Sequence, residues 1–113
     1  MCYILEMVWT VETLDKTVDE ELEALPADMQ ARFFRIVELI EDKGLQNVKE
    51  PYVKPIEGKL WEIRMKGKDG ISRALYVTAK QRRVVVVRVF IKKTQKTPKS
   101  EIKIALKRAK EIK

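Results

Sequence analysis

Histidine is absent from the 113 residues of this sequence, and Cys2 is its single cysteine. Histidine is the side chain that most often moves protons near neutral pH, and zinc prefers histidine and cysteine ligands. The sequence therefore predicts no metal site, no cofactor and no imidazole-based catalysis. One cysteine cannot form an internal disulfide, which fits a reducing compartment.

Long apolar segments are also missing. Short runs such as residues 84–87 fall far below the roughly 20 apolar residues that cross a bilayer. The N-terminal residues show neither the basic start nor the small-residue cleavage site of a secretory signal. We expect a cytoplasmic protein with no membrane partner.

Charge is divided along the chain. Residues 1–53 contain 5 Lys/Arg against 12 Asp/Glu, a net charge of −7, and residues 54–113 contain 19 against 5, a net charge of +14. The basic half also contains Trp61, Tyr76 and Phe90. Basic residues mixed with aromatic residues are typical of a surface that binds phosphates, so nucleic acid is the first partner that the composition indicates.

A chain of 113 residues fits one domain with a single core over its whole length. Thr17 and Glu20 have the spacing of a capping box, which predicts a short helix over residues 18–25. Apolar residues three and four apart predict a second helix over residues 28–43, and Gly44 is suited to end it. The two helices would form a hairpin.

Strand-like segments dominate the part of the chain after the helices. Residues 45–58 contain prolines and little periodicity, so the sequence predicts only a connection there. Four strands are predicted, over residues 3–11, 59–65, 71–78 and 84–91. Pro98 suits the first position of a last, basic helix. The prediction is an α+β fold: a helical hairpin packed on a mostly antiparallel four-stranded sheet, with a basic helix at the C-terminal end.

Alternation along the strand at 59–65 separates its side chains into two sets. The apolar set, expected to enter the core, consists of Trp61, Ile63 and Met65. Glu62, Arg64 and Lys66 point to the opposite face.

Counting through the turns extends this basic face to the next strands. A two-residue turn at residues 69–70 would set Lys66 opposite Arg73. A two-residue turn at residues 80–81 would set Arg73 opposite Arg88. The face would then carry Arg64, Lys66, Arg73, Arg88, Phe90 and Lys92. A loop with an odd number of residues would destroy the alignment.

Neighbouring arginines repel one another unless an anion joins them, and planar guanidinium groups suit bidentate contact with phosphate. The face is therefore a candidate phosphate site, with Phe90 available for stacking. The alternative is that each arginine pairs with Glu57, Glu62, Glu101 or an acidic residue of the helical hairpin, and that Phe90 and Tyr76 lie in the core. Three lysines before the last helix form either an anion site or a solvated linker: Lys92, Lys93 and Lys96.

Three motifs stand in order along the basic half: Leu60-Trp-Glu-Ile-Arg64, Gly70-Ile-Ser-Arg73-Ala-Leu-Tyr76, and Val89-Phe-Ile-Lys-Lys-Thr-Gln-Lys-Thr-Pro98. Together they resemble the RelE/HigB toxin superfamily, in particular its phage-derived Gp49-like branch. The likeness spans nearly the whole chain, including the helical stretch at 22–44 and residues 101–105. Each motif is short, and their order and spacing together are specific.

Such toxins cut messenger RNA in the decoding site of the ribosome and are neutralised by a co-expressed antitoxin, often a helix-turn-helix protein. The resemblance thus implies an endoribonuclease whose partners are the ribosome, messenger RNA and an antitoxin. It implies catalytic roles, orientation of the phosphate and stabilisation of its transition state, for Arg64, for Arg73 and for Lys92 or Lys93, of which Lys92 is the predicted catalytic residue. The basic face and the lysine run before the last helix add the predicted RNA-binding residues: Lys66, Arg88, Phe90, Lys93 and Lys96.

Some ribonuclease members of the superfamily have a histidine or tyrosine near the position of Phe90. Phenylalanine retains the stacking role of such a residue and not its proton-donating role. ParE-like proteins of the same fold act on DNA gyrase. Gyrase inhibition, and a non-catalytic protein that binds RNA or an antitoxin, are therefore the alternatives to RNA cleavage.

Overall fold

The computed structural model describes residues 8–48, 52–92 and 96–112. The helices and strands are β1 (Thr10–Thr13), α1 (Lys16–Glu23), α2 (Ala27–Lys43), a 3-10 turn (Leu45–Asn47), β2 (Val53–Glu57), β3 (Leu60–Gly67), β4 (Gly70–Ala79), β5 (Arg83–Lys92) and α3 (Lys99–Ala109). Within these ranges, one mixed sheet has the strand order β1-β5-β4-β3-β2, in which β1 and β5 are parallel and the other neighbours are antiparallel. The α+β class is confirmed, and the sheet formed by the described residues has five strands rather than the predicted four.

The additional strand is β2, in a segment for which the sequence predicts only a connection. Pro55 interrupts its pattern, and the pairing with β3 shifts between Pro55 and Glu57. The strand lies at the edge of the sheet, where proline is tolerated because one side of the strand makes no ladder hydrogen bonds. The sequence predicts the first strand over residues 3–11. Residues 1–7 lie outside the described residues, and β1 itself begins at Thr10.

Helix α1 begins two residues before the predicted start. Its N-cap is Asp15, whose side chain accepts a hydrogen bond from the Val18 N–H at 3.1 Å. Thr17 lies inside the helix, so the predicted capping box of Thr17 and Glu20 is wrong. Asp15 is an equally good capping residue, and a helix that starts there buries Val18 and Leu22.

A separate apolar core lies against each face of the sheet. Helices α1 and α2 pack on one face, which we call the hairpin face, and α3 packs on the other, which we call the α3 face. The hairpin-face core includes Val18, Met29, Ile36, Ile63, Met65 and Tyr76. The α3-face core includes Leu60, Leu75, Val77, Val87, Phe90 and Ala105.

Trp61 does not enter the hairpin-face core with Ile63 and Met65, and that part of the prediction is wrong. Its side chain stays 38% exposed and lines an apolar cavity of about 500 Å³. The cavity separates Trp61 from Leu45 and Val48, in the segment that follows α2. Alternation gives the direction of a side chain and not whether a helix covers it.

The turn between β4 and β5 is one residue longer than predicted. Ala79 pairs with Arg83, which leaves three residues in the turn. Two of them, Gln81 and Arg82, have positive φ values of 65° and 57°. Nothing in the residue types of residues 80–82 announces this backbone, since glycine is the residue that adopts it at least cost.

A bulge further along β5 compensates for the longer turn. Val87 is an extra residue in β5, because the pairing shifts between Leu75 and Tyr76. Arg73 pairs with Phe90 and Leu75 pairs with Arg88, so the predicted pairing of Arg73 with Arg88 is wrong. One extra residue in the turn and one in the bulge nevertheless keep both Arg88 and Phe90 on the α3 face, as counting predicts.

Candidate functional site

Arg64 and Arg73 lie directly opposite each other on β3 and β4, on the α3 face. The turn between these strands consists of residues 68–69, one residue earlier than predicted. Lys66 therefore pairs with Ile71 rather than with Arg73. The shift moves the register by two residues, so the basic side chains stay on one face.

A buried carboxylate, Glu62, joins the two arginines. Its Oε2 binds the Arg73 Nη1 and lies 3.6 Å from the Arg64 Nε. Its Oε1 accepts a hydrogen bond from the Thr97 Oγ1 at 2.7 Å. Glu62 is fully buried and Arg73 is 2% exposed. Buried charges require partners of opposite sign, so Glu62 fixes Arg73 in place and also ties the chain just before α3 to the sheet.

Arg64 is the more accessible arginine of the pair. Its side chain is 28% exposed, and among the described residues its guanidinium contacts no carboxylate other than Glu62. Because Glu62 already binds Arg73 and Thr97, it neutralises Arg64 only in part. A phosphate at this face would meet Arg64 first.

Arg88 is held by acidic residues from two helices. Its Nε donates to Glu101 at 2.6 Å and its Nη1 donates to Glu21 at 2.7 Å. The hydrogen bond to Glu101 and the charges of both carboxylates raise the pKa of Arg88, against the opposing effect of burial. Glu21 also binds Arg108 at 2.9 Å and accepts a hydrogen bond from the Val89 N–H. Arg88 thus joins α1, β5 and α3, as the ion-pair interpretation of the sequence supposes.

The lysines of the predicted site are only partly described. Lys66 and Lys96 are exposed. The backbone of Lys92 pairs with Ile71, which places Lys92 at the end of the sheet that carries Lys66. The side chain of Lys92 and all of Lys93 lie outside the described residues.

The aromatic residues of the predicted surface are buried. Phe90 is 9% exposed and belongs to the α3-face core. Tyr76 is 1% exposed in the hairpin-face core, and burial raises the pKa of its phenol. Tyr52 is the exposed tyrosine among those that the structure describes, at 39%.

The ion-pair alternative of the sequence analysis names Glu62, and alternation along β3 places Glu62 on the face of Arg64. It includes Glu21 only as one of the acidic residues of the helical hairpin. No local signal singles out Glu21, because its contacts depend on how α1 packs beside β5. Thr97 is the residue of this site that sequence reasoning missed. Among the described residues, no group of three or more His, Cys, Asp or Glu side chains could hold a metal ion. None of the described helices is long and apolar enough to cross a membrane.

The sequence matches the family described as Phage derived protein Gp49-like (DUF891) over residues 20–110. No curated protein matches it significantly. An arginine double mutant of the E. coli toxin RelE, solved in the free state, is similar in structure, with a TM-score of 0.60 and 17% identity over 90% of this chain and 98% of that chain. The archaeal RelE–RelB complex from Pyrococcus horikoshii OT3 is also similar, with a TM-score of 0.54 and 22% identity over 75% of this chain and 96% of that chain. At these identities the likeness is one of fold.

Proposed function

Because the chain belongs to the phage-derived Gp49-like family and has the fold of RelE, we propose that it is the toxin of a type II toxin–antitoxin pair and cleaves messenger RNA on the ribosome. The observation that carries this proposal is the pair of Arg64 and Arg73, held by the buried Glu62 on the α3 face. Attack by a ribose 2′-hydroxyl increases the negative charge on the phosphate, and cations fixed in advance stabilise that charge. The activity belongs in the cytoplasm, where ribosomes translate.

The two arginines have different roles in this proposal. Arg64 is the catalytic residue, because its partly exposed guanidinium can contact the phosphate. Arg73 is a positioning residue, since it neutralises Glu62 and thereby sets the carboxylate against which Arg64 rests. The role that the family resemblance gives to Arg73 is thus exerted through Glu62. A site without histidine then works by orientation and electrostatics.

Glu62 also supports the lysine-bearing segment. Its bond to Thr97 anchors the chain immediately after Lys96, which follows Lys92 and Lys93 in sequence. In the proposal these lysines complete the positive surface around the phosphate.

The proposed protein partner is an antitoxin with an acidic segment, and the family resemblance favours a helix-turn-helix protein. One solved structure of this fold is a complex with RelB. Helix α3 and its C-cap Lys110 present four exposed lysines: Lys99, Lys103, Lys107 and Lys110. An acidic segment lying along α3 would associate faster at low salt than at high salt. An association rate independent of salt would contradict this docking.

The proposal is tested by inducing the wild type, Arg64→Ala and Arg35→Ala in bacteria and mapping the 5′ ends of translated messages. The wild type should arrest growth and cut within codons. Arg64→Ala should lower cleavage by about 100-fold or more, the usual effect of removing one group that stabilises transition-state charge. Arg35→Ala is the matched control, because Arg35 is exposed beside Glu38 and Asp42 and should leave cleavage unchanged.

Arg64→Ala is a sharper first variant than Arg73→Ala. Removing Arg73 leaves Glu62 as a buried charge without its main partner and so threatens the fold itself. Growth arrest with intact messages and damaged DNA would replace the proposal with gyrase inhibition. Absence of growth arrest would indicate a protein that binds without catalysis.

A further inference from the structure

The cations on and beside the central strands divide into two groups according to their partners. Arg73 and Arg88 bind buried or half-buried carboxylates. Arg32 and Lys66 form no ion pair among the described residues, and Arg64 shares Glu62 at 3.6 Å. The second group borders one cleft of about 350 Å³, which we call the edge cleft. Its lining consists of Arg32, Tyr52, Arg64, Lys66 and Ile71.

The edge cleft lies where β2 stops covering β3. The first residue of β2, Val53, pairs with Ile63, and the Arg64 N–H donates to the Tyr52 carbonyl at 2.9 Å. Beyond Arg64, the described part of β3 has no strand partner on this side. Helix α2 packs along β3 and brings Arg32 to the same opening.

We propose that the edge cleft binds one nucleotide of single-stranded RNA next to the cleaved phosphate. In this arrangement the base stacks on Tyr52, and Arg32 and Lys66 hold the backbone phosphate. Proteins that bind single strands combine a basic groove with exposed aromatic rings, which is the composition of this cleft. Its volume is at the low end of the roughly 300–1,000 Å³ of ligand sites, which suits one nucleotide.

Arg64 connects the edge cleft to the proposed catalytic pair. Its side chain lines the cleft and also lies opposite Arg73, so an RNA strand that places a phosphate on Arg64 continues directly into the cleft. This inference rests on the proposed function for the identity of the strand. An acidic peptide would use the same cations and would gain nothing from the ring of Tyr52.

The test measures binding of a fluorescein-labelled 2′-O-methyl RNA dodecamer, which cannot be cleaved, at several salt concentrations. Arg32→Gln should weaken binding about fivefold at 0.1 M salt and lower the slope of log affinity against log salt by about 0.7, as expected for one lost phosphate contact on a single strand. Tyr52→Ala should weaken binding by roughly fivefold or more with an unchanged slope, and Tyr52→Phe should bind like the wild type.

Arg35→Gln is the matched control, since it removes the same charge from the same helix outside the edge cleft. Circular dichroism melts of every variant report whether it is folded. Equal losses for Arg32→Gln and Arg35→Gln, or equal losses for Tyr52→Phe and Tyr52→Ala, would overturn the proposal. So would an equal loss of affinity by Tyr52→Ala for a decaglutamate peptide, because the site would then recognise an acidic protein segment.

Failure of this inference can be told apart from failure of the proposed function. If the wild type cuts messages and the variants at Arg32 and Tyr52 bind RNA normally, the edge cleft is rejected and the nuclease stands. If the wild type cuts no message but its RNA affinity depends on both residues, the edge cleft stands as an RNA-binding site and the nuclease is rejected.

Discussion

The two faces of the sheet hold their helices by different means. Among the described residues, sixteen buried residues form the hairpin-face core and seven form the α3-face core. The charged residues that are buried, Glu62 and Arg73, both belong to the α3 face. Apolar burial thus holds α2, whereas α3 is also joined to β5 by the ion pair of Glu101 with Arg88, and Glu21 of α1 binds the same arginine. The hairpin face therefore supplies most of the apolar burial, and the α3 face holds charged side chains in fixed positions.

Glu62→Ala, on the α3 face, is the substitution expected to have the largest effect on stability. The substitution leaves Arg73 buried without its carboxylate, which should lower the free energy of unfolding by about 3–5 kcal/mol. Adding Arg73→Met should restore much of the loss, because the uncompensated charge is then gone. Urea denaturation measures both variants. A loss below about 1 kcal/mol for Glu62→Ala would show that water or another group already solvates Arg73.

Arg88→Gln should have the next largest effect, a loss of about 2 kcal/mol from its charged hydrogen bonds to Glu21 and Glu101. Since these bonds join α1 and α3 to β5, hydrogen exchange should rise in α3 more than in α2. An equal increase of hydrogen exchange in α2 and α3 would mean that the bonds of Arg88 do not specifically hold α3. Arg35→Gln, at an exposed site on α2, is the control for loss of an arginine charge.

On the hairpin face, Tyr76→Phe should alter the pH dependence of stability. Burial raises the pKa of the folded-state phenol above its ordinary 10.0, so the unfolded chain loses this proton first. Stability from the neutral phenol is fully present below pH 10 and falls above it, by about 1.4 kcal/mol for each pH unit. The variant should lack this alkaline loss in urea titrations between pH 9 and about pH 11. Parallel curves for the two proteins would contradict the prediction.

The smallest effect is expected for Arg83→Gln, on the same strand as Arg88. The ion pair of Arg83 with Glu12 is 3.3 Å long, and both side chains are partly exposed, at 30% and 45%. Such pairs contribute about 0.2–1 kcal/mol, and salt screens them. Thermal denaturation at low and high salt measures the difference from Arg88→Gln. Equal losses for the two variants would show that enclosure between helices adds nothing to the arginine at 88.

Periodicity in the sequence predicts the helices and strands best where local residue spacing determines the structure. The helical hairpin, the three long strands and the face shared by Arg64, Arg73 and Arg88 follow from spacing, because a register error of two residues preserves the face. The cross-strand pairs within that face could not be predicted from spacing. No residue type in the turn signals the positive φ values of Gln81 and Arg82.

The candidate site was predictable in composition and not in accessibility. Alternation places Arg73 and Phe90 on the right face, and only packing shows that α3 and Glu62 bury them. Arg32 and Tyr52 had no sequence signal, since the edge cleft forms where an unforeseen edge strand ends beside α2. The short strand β2 was not predicted because Pro55 interrupts its pattern, and the edge cleft at its end was therefore not predicted either.

The extra residue Val87 determines where β5 can change in length. Deleting Val87 would remove the bulge and leave Val86 opposite Tyr76 and Arg88 opposite Leu75, so Arg88 would keep its direction toward Glu101. A one-residue deletion in a regularly paired strand without such an extra residue instead reverses the orientation of every following side chain. Single-residue differences in length among diverging lineages should therefore be concentrated at the bulge and at the turn formed by residues 80–82.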